Sequence, residues 1–124
     1  MYQRMSFEPV QVSGTAALRF VIGDNAALLN AHEIDDLIAQ LGEIRRQMPP
    51  APPPQPLRTV MYSLEVDPCW YVDKGPLVDG AVLLLRHTGF GWLCFSLPPP
   101  SLSRLEKALS VQLPMTVAMS ATAN

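Results

Sequence analysis

The chain has 124 residues, 48% of them hydrophobic and 16% charged, with nine basic side chains against eleven acidic ones for a formal charge of −2. This length suits a single domain over residues 1–124, and the composition is too apolar and too sparsely charged for a disordered chain. No basic stripe is present to neutralise a phosphate backbone, which argues against nucleic acid as a partner. No run approaches the ~18 apolar residues of a membrane span, and none serves as a secretory signal, so the expectation is a cytoplasmic protein with no membrane partner.

In chain order, the first element is expected in "VQVSGTAALRFVIG". Val10, Val12, Ala16, Leu18, Phe20 and Ile22 fall on even positions and polar residues on odd ones, the period of a half-buried strand. Gly14 reads as a bulge within it, and "GDN" at 23–25 ends it. A helix follows from Ala31 to Met48. Asn30 is its cap, Glu33 completes a capping box, Ile34, Leu37, Ile38, Leu41, Ile44 and Met48 trace one apolar stripe, and Pro49-Pro50 stop it. His32 in its first turn has no chemical partner written near it and reads as a solvated residue.

Residues 49–56 are a proline-rich linker, extended enough as polyproline II to return the chain along the helix. Within it, "PPQPLR" matches P-x-x-P-x-R, the pattern of ligands for proline-binding domains, but so short a match arises readily by chance in a proline-rich spacer. "TVMYSLEV" over 59–66 alternates as a second strand, and "CWYV" over 69–72 reads as a short third. "AVLLLRHTGFGWLCFSL" is a hairpin in which Gly89 opens a type II′ turn, pairing Thr88 with Gly91, Leu85 with Cys94 and Leu84 with Phe95. "SLSRLEKALSVQL" forms the second helix, capped at Ser103 or Ser101, and residues 115–124 are a weakly ordered tail.

The expected fold is therefore α+β: one mostly antiparallel sheet of four or five strands with two amphipathic helices, in the order β-α-(proline linker)-β-β-β-β-α. Two helices cover about one face of such a sheet, whereas the hairpin is apolar on both. Trp70, Tyr71, Leu83, Leu85, His87, Phe90 and Trp92 are accordingly the candidate interface, offered to a second copy of the chain or to another protein. The function this suggests is a non-catalytic interaction module, of a size that suits an inhibitor or an immunity-type protein of a mobile element. The competing reading is a small enzyme or ligand-binding domain with a pocket near the Trp/His/Cys cluster, since the expected register makes His87 and Cys94 diagonal neighbours on one face. No nucleophile elbow, phosphate loop or zinc spacing accompanies that pair, so no catalytic residue, metal or cofactor is assigned, and Cys69 and Cys94 read as free thiols.

Overall fold

Ser13 and Gly14 both take positive φ, 52° and 80°, which only a tight reversal requires. They fold the alternating run back on itself, so the expected single strand is two: β1, Met5–Val12, and β2, Thr15–Ile22. A two-residue turn pairs Val12 with Thr15 and reverses the parity of the alternation. Val10 and Val12 therefore lie on the opposite face from Ala16, Leu18, Phe20 and Ile22. Gly23, at φ 58°, makes a second tight turn into β3, Asn25–Leu29.

This is a computed structural model, and it describes residues 2–75 and 79–113. The chain divides into two units, Met1–Tyr62 and Ser63–Asn124. In the first, β1, β2 and β3 form an antiparallel meander. One face carries Met5, Phe7, Leu18, Phe20, Ile22 and Leu29, with the Phe7 and Phe20 rings stacked at 5.0 Å. The other is more polar and holds the 2.8 Å ion pair of Glu8 and Arg19.

Helix α1, Ala31–Gln47, starts as its sequence dictates: the Asn30 side chain accepts from the Glu33 N–H, and the Glu33 carboxylate accepts from the Asn30 N–H. The helix lies against β2 and β3, with Leu37 beside Phe20 and Leu29. Only the first half of its apolar stripe gains cover: Ile34, Leu37 and Ile38 are half-buried, while Leu41, Ile44 and Met48 stay exposed. At its end the Arg45 guanidinium donates to the carbonyls of Met48 and Pro50, each at 2.8 Å, which ties the start of the linker to the last turn.

The linker is exposed throughout and bends at Pro54-Gln55, so it is not one straight polyproline rod. Its far end curls onto Tyr62, whose hydroxyl accepts from the Leu57 N–H at 3.0 Å. The strand expected over 59–66 does not form: the backbone turns instead, with the Val60 N–H on the Leu57 carbonyl, and Met61, Leu64 and Val66 are left exposed. Alternation supplies a face but not a neighbour to pair with.

The second unit has the same order as the first. Strands β4, Trp70–Asp73, β5, Ala81–His87, and β6, Gly91–Leu97, form an antiparallel meander, followed by helix α2, Pro99–Val111. Pro98 is the cap and prolines fill the first helical positions, so α2 begins ahead of Ser101 and Ser103 and carries no side-chain cap. The fold is thus α+β with two helices, but with two three-stranded sheets in the order β-β-β-α-β-β-β-α in place of one sheet of four or five strands. The expected tail, 115–124, lies outside the described residues.

Neither unit encloses a core among its described residues. Among the described residues Ala81 is the one hydrophobic side chain that is buried, and no large side chain is fully enclosed.

Candidate interaction surface

The register of the β5–β6 hairpin decides which side chains share a face. Gly91, not Gly89, takes the left-handed conformation, at φ 77°, and His87 pairs with Gly91 across the three-residue loop Thr88-Gly89-Phe90. The expected II′ turn at Gly89 is therefore corrected, and with it the pairing: Leu85 faces Leu93 rather than Cys94, and Leu84 faces Cys94 rather than Phe95. A slip of one residue exchanges the faces of a strand. His87 and Cys94 consequently lie on opposite faces, and the diagonal imidazole–thiol pair does not exist.

With β4 in place, the two faces differ in character. One carries Trp70, Val72, Leu83, Leu85, Leu93, Phe95 and Leu97 with no charged residue among them, and His87 at its margin. The other mixes Tyr71, Val82, Leu84, Trp92 and Cys94 with Asp73, Arg86 and Ser96. The candidate interface residues are thereby split: Trp70, Leu83, Leu85 and His87 share the first face, Tyr71 and Trp92 belong to the second, and Phe90 sits on the loop. Large aromatics stay in solvent on both, with exposures of 68% for Trp70, 59% for Tyr71 and 52% for Trp92. Trp70, Tyr71, Leu84 and Trp92 line a shallow, open and almost wholly apolar hollow of about 340 Å³.

Phe90 is held in part by its own loop. Its ring stacks on the His87 imidazole at 4.4 Å, and Nδ1 of His87 accepts the N–H groups of Gly89 and Phe90, both at 3.0 Å. An Nδ1 that accepts two N–H groups carries no proton, so the neutral tautomer has its hydrogen on Nε2. Its 3.5 Å approach to the Glu65 carboxylate is then proximity rather than an ion pair.

Glu65 is the residue the sequence did not single out. From 23 positions away, its carboxylate accepts the Thr88 N–H at 2.6 Å and the Thr88 hydroxyl at 3.1 Å, pinning the segment before β4 to the hairpin loop. The Thr88 N–H bond is the main reason its carboxyl is held below the ordinary glutamate range, with the Thr88 hydroxyl and the nearby Arg86 guanidinium acting in the same direction and partial burial opposing them. No local spacing signals such a contact; alternation placed Glu65 on the polar side of a strand that does not form.

Cys69 and Cys94 are free and exposed, and the Arg86 guanidinium lies 3.9 Å from the Cys69 sulfur. Among the described residues no group of three or more His, Cys, Asp or Glu side chains is placed to hold a metal ion, and no helix is long and apolar enough to cross a membrane. The chain matches no protein-family model, and comparison with curated proteins and with solved structures finds no match.

Proposed function

We propose that this protein is a non-catalytic protein-binding module, and that the apolar face of the β4–β5–β6 sheet is its binding surface. The observation that carries this reading is the mismatch between composition and burial. Nearly half the residues are hydrophobic, yet among those described one apolar side chain is buried. A unit of ~60 residues is marginal even when its apolar surface is well covered. Trp70, Val72 and Phe95 stand at 68, 50 and 47% exposure on one sheet face whose backbone is fixed by a complete antiparallel ladder. Rigid aromatic and branched side chains on a preorganised surface lose little entropy when a partner covers them, which is why such residues dominate interface energetics.

The inhibitor or immunity-type role suggested by size belongs to this same class. The competing reading, a ligand pocket at the Trp/His/Cys cluster, is weakened because the cluster divides between two faces and the hollow beside Trp92 is open. Replacing Trp70 with Ala and Val72 with Ser together tests the binding face. Association measured by light scattering after size exclusion is expected to fall by about tenfold or more while far-UV circular dichroism is unchanged, as for loss of interface anchors. Association that is unaffected, or a protein that binds neither itself nor any other protein, rejects the proposal. A variant that keeps its mass but loses a bound small molecule assigns the pocket instead.

A further inference from the structure

The free edge of β6 is the surface that names a partner. Both N–H and C=O of a residue in an antiparallel ladder point to the same neighbour, and successive residues alternate. The Arg86 N–H bonds the Cys69 carbonyl on the β4 side, so Ala81, Leu83, Leu85 and His87 address β6 through its residues Gly91, Leu93, Phe95 and Leu97. Trp92, Cys94 and Ser96 therefore turn their backbone donors and acceptors outward, along an edge that no described strand pairs.

The other edges are guarded in ways this one is not. β1 contains Glu8 and Pro9; β4 has four residues and ends on Asp73; β3 has five residues. β6 has seven residues, "GWLCFSL", with no charge and no proline. Natural sheets protect an edge of that length with charge, proline or a bulge unless it is meant to pair.

We infer that β6 pairs antiparallel with β6 of a second copy about a two-fold axis at Cys94, joining two three-stranded sheets into one of six strands. This rests on the reading of the sheet as a protein-binding surface. Several features favour the chain's own copy. The register that uses the whole strand sets Gly91 against Leu97, Trp92 against Ser96, Leu93 against Phe95 and Cys94 against itself. In that register every outward N–H of Trp92, Cys94 and Ser96 meets an outward carbonyl, because all three positions share one parity. A large side chain stands opposite a small one in the Gly91–Leu97 and Trp92–Ser96 pairs, and no like charges meet. The axis brings the two apolar faces, each with Leu93 and Phe95 next to the seam, to the same side of the joined sheet. The contact is isologous, so it closes as a dimer, and the short edge of β4 with its terminal Asp73 does not extend it.

The test uses the full chain. Residues directly opposite in a hydrogen-bonded antiparallel pair have Cα atoms about 5.5 Å apart, inside the disulfide range. With Cys69→Ser leaving Cys94 as the one thiol, mild oxidation is expected to yield a covalent dimer. With Cys94→Ser the dimer remains in light scattering but does not cross-link. Cys94→Lys sets two ammonium groups against each other across the axis, and Cys94→Pro removes an outward donor without touching the β5 ladder. Each is expected to raise the dimer dissociation constant about tenfold or more. A wild-type monomer at every concentration overturns the inference, as does a dimer that neither cross-links through Cys94 nor weakens in Cys94→Lys. A dimer that fails both Cys94 tests yet is lost on replacing Trp70 and Val72 rejects edge pairing while upholding the binding face. One that cross-links through Cys94 but ignores Trp70 and Val72 does the reverse.

Discussion

The Glu65 carboxylate joins the segment before β4 to the hairpin loop at Thr88, and its contribution depends on pH in a defined direction. Its charged form is stabilised by the Thr88 N–H and hydroxyl, so its carboxyl is lowered in the folded chain relative to the unfolded one. A lowered carboxylate contributes stability that is complete above the unfolded value, about 4.3, and is lost as pH falls through the folded value beneath it. Wild type is therefore expected to have a higher Tm than Glu65→Gln at pH 6, with the gap closing as the solution is acidified below ~4. Thermal unfolding followed by circular dichroism over that range reads the difference. A gap that stays constant with pH shows that the carboxylate charge is not what holds the loop. His87 illustrates a different limit at the same scale. Its position near an apolar hairpin invites a catalytic reading, but its Nδ1 is spent on closing the loop beneath Phe90. Residue type showed a titratable group; only the fold showed what already occupies it.

At the scale of elements, what could be read ahead was what depends on near neighbours. Helix α1 was legible because Asn30, Glu33 and the apolar positions after them lie within one or two turns of each other. Asn30→Ala removes the acceptor for the Glu33 N–H and is expected to destabilise the first unit by about 1 kcal/mol, measured by urea unfolding. An effect near zero would mean that solvent replaces the cap at no cost. The β5–β6 hairpin was legible as a hairpin but not in register. Gly89 and Gly91 flank Phe90, either can take a turn conformation, and choosing between them shifts every pair by one residue. That single choice moved Leu93, Phe95 and Leu97 onto the face of Leu83 and Leu85, replacing two apolar faces by one apolar and one mixed. The Ser13-Gly14 reversal carried a usable signal, a two-residue loop with a glycine between alternating runs, which was masked because the even-position pattern continues by coincidence through Ala16. Residues 59–66 alternate as well as any true strand here yet pair with no described strand, because alternation sets which face is apolar and not whether an edge is met.

The whole chain repeats one order, three strands in a meander and then a helix that starts within two residues of the last strand. The repeat is invisible as residue identity because each unit solves its junctions differently: a capping box at Asn30 in one, a proline start at Pro98 in the other. Between the two lies the segment from Pro49 to Leu64, exposed at every residue and without helix or strand. Its prolines limit where a protease can bind productively, but Arg58 is followed by Thr59 and stands clear of them. The chain's other internal basic residues have stronger reasons to resist. Arg4 adjoins β1 and its carbonyl, at the bond trypsin would cut, accepts the Gly23 N–H at 2.9 Å; Arg19 and Arg86 lie in paired strands, Arg45, Arg46, Arg104 and Lys107 lie in helices, and Lys74 donates its N–H to the Asp73 carboxylate beside the buried Gly75. A protease needs several residues of extended, unpaired backbone, so the cut goes where no ladder or helix must first open. Brief trypsin digestion read by intact mass is therefore expected to yield residues 1–58 and 59–124 before other internal products. A first cut at Arg86 instead would mean that the β4–β5–β6 sheet opens more readily than the linker yields. A sheet that labile would not offer the preorganised face that Trp70, Val72 and Phe95 present to a partner.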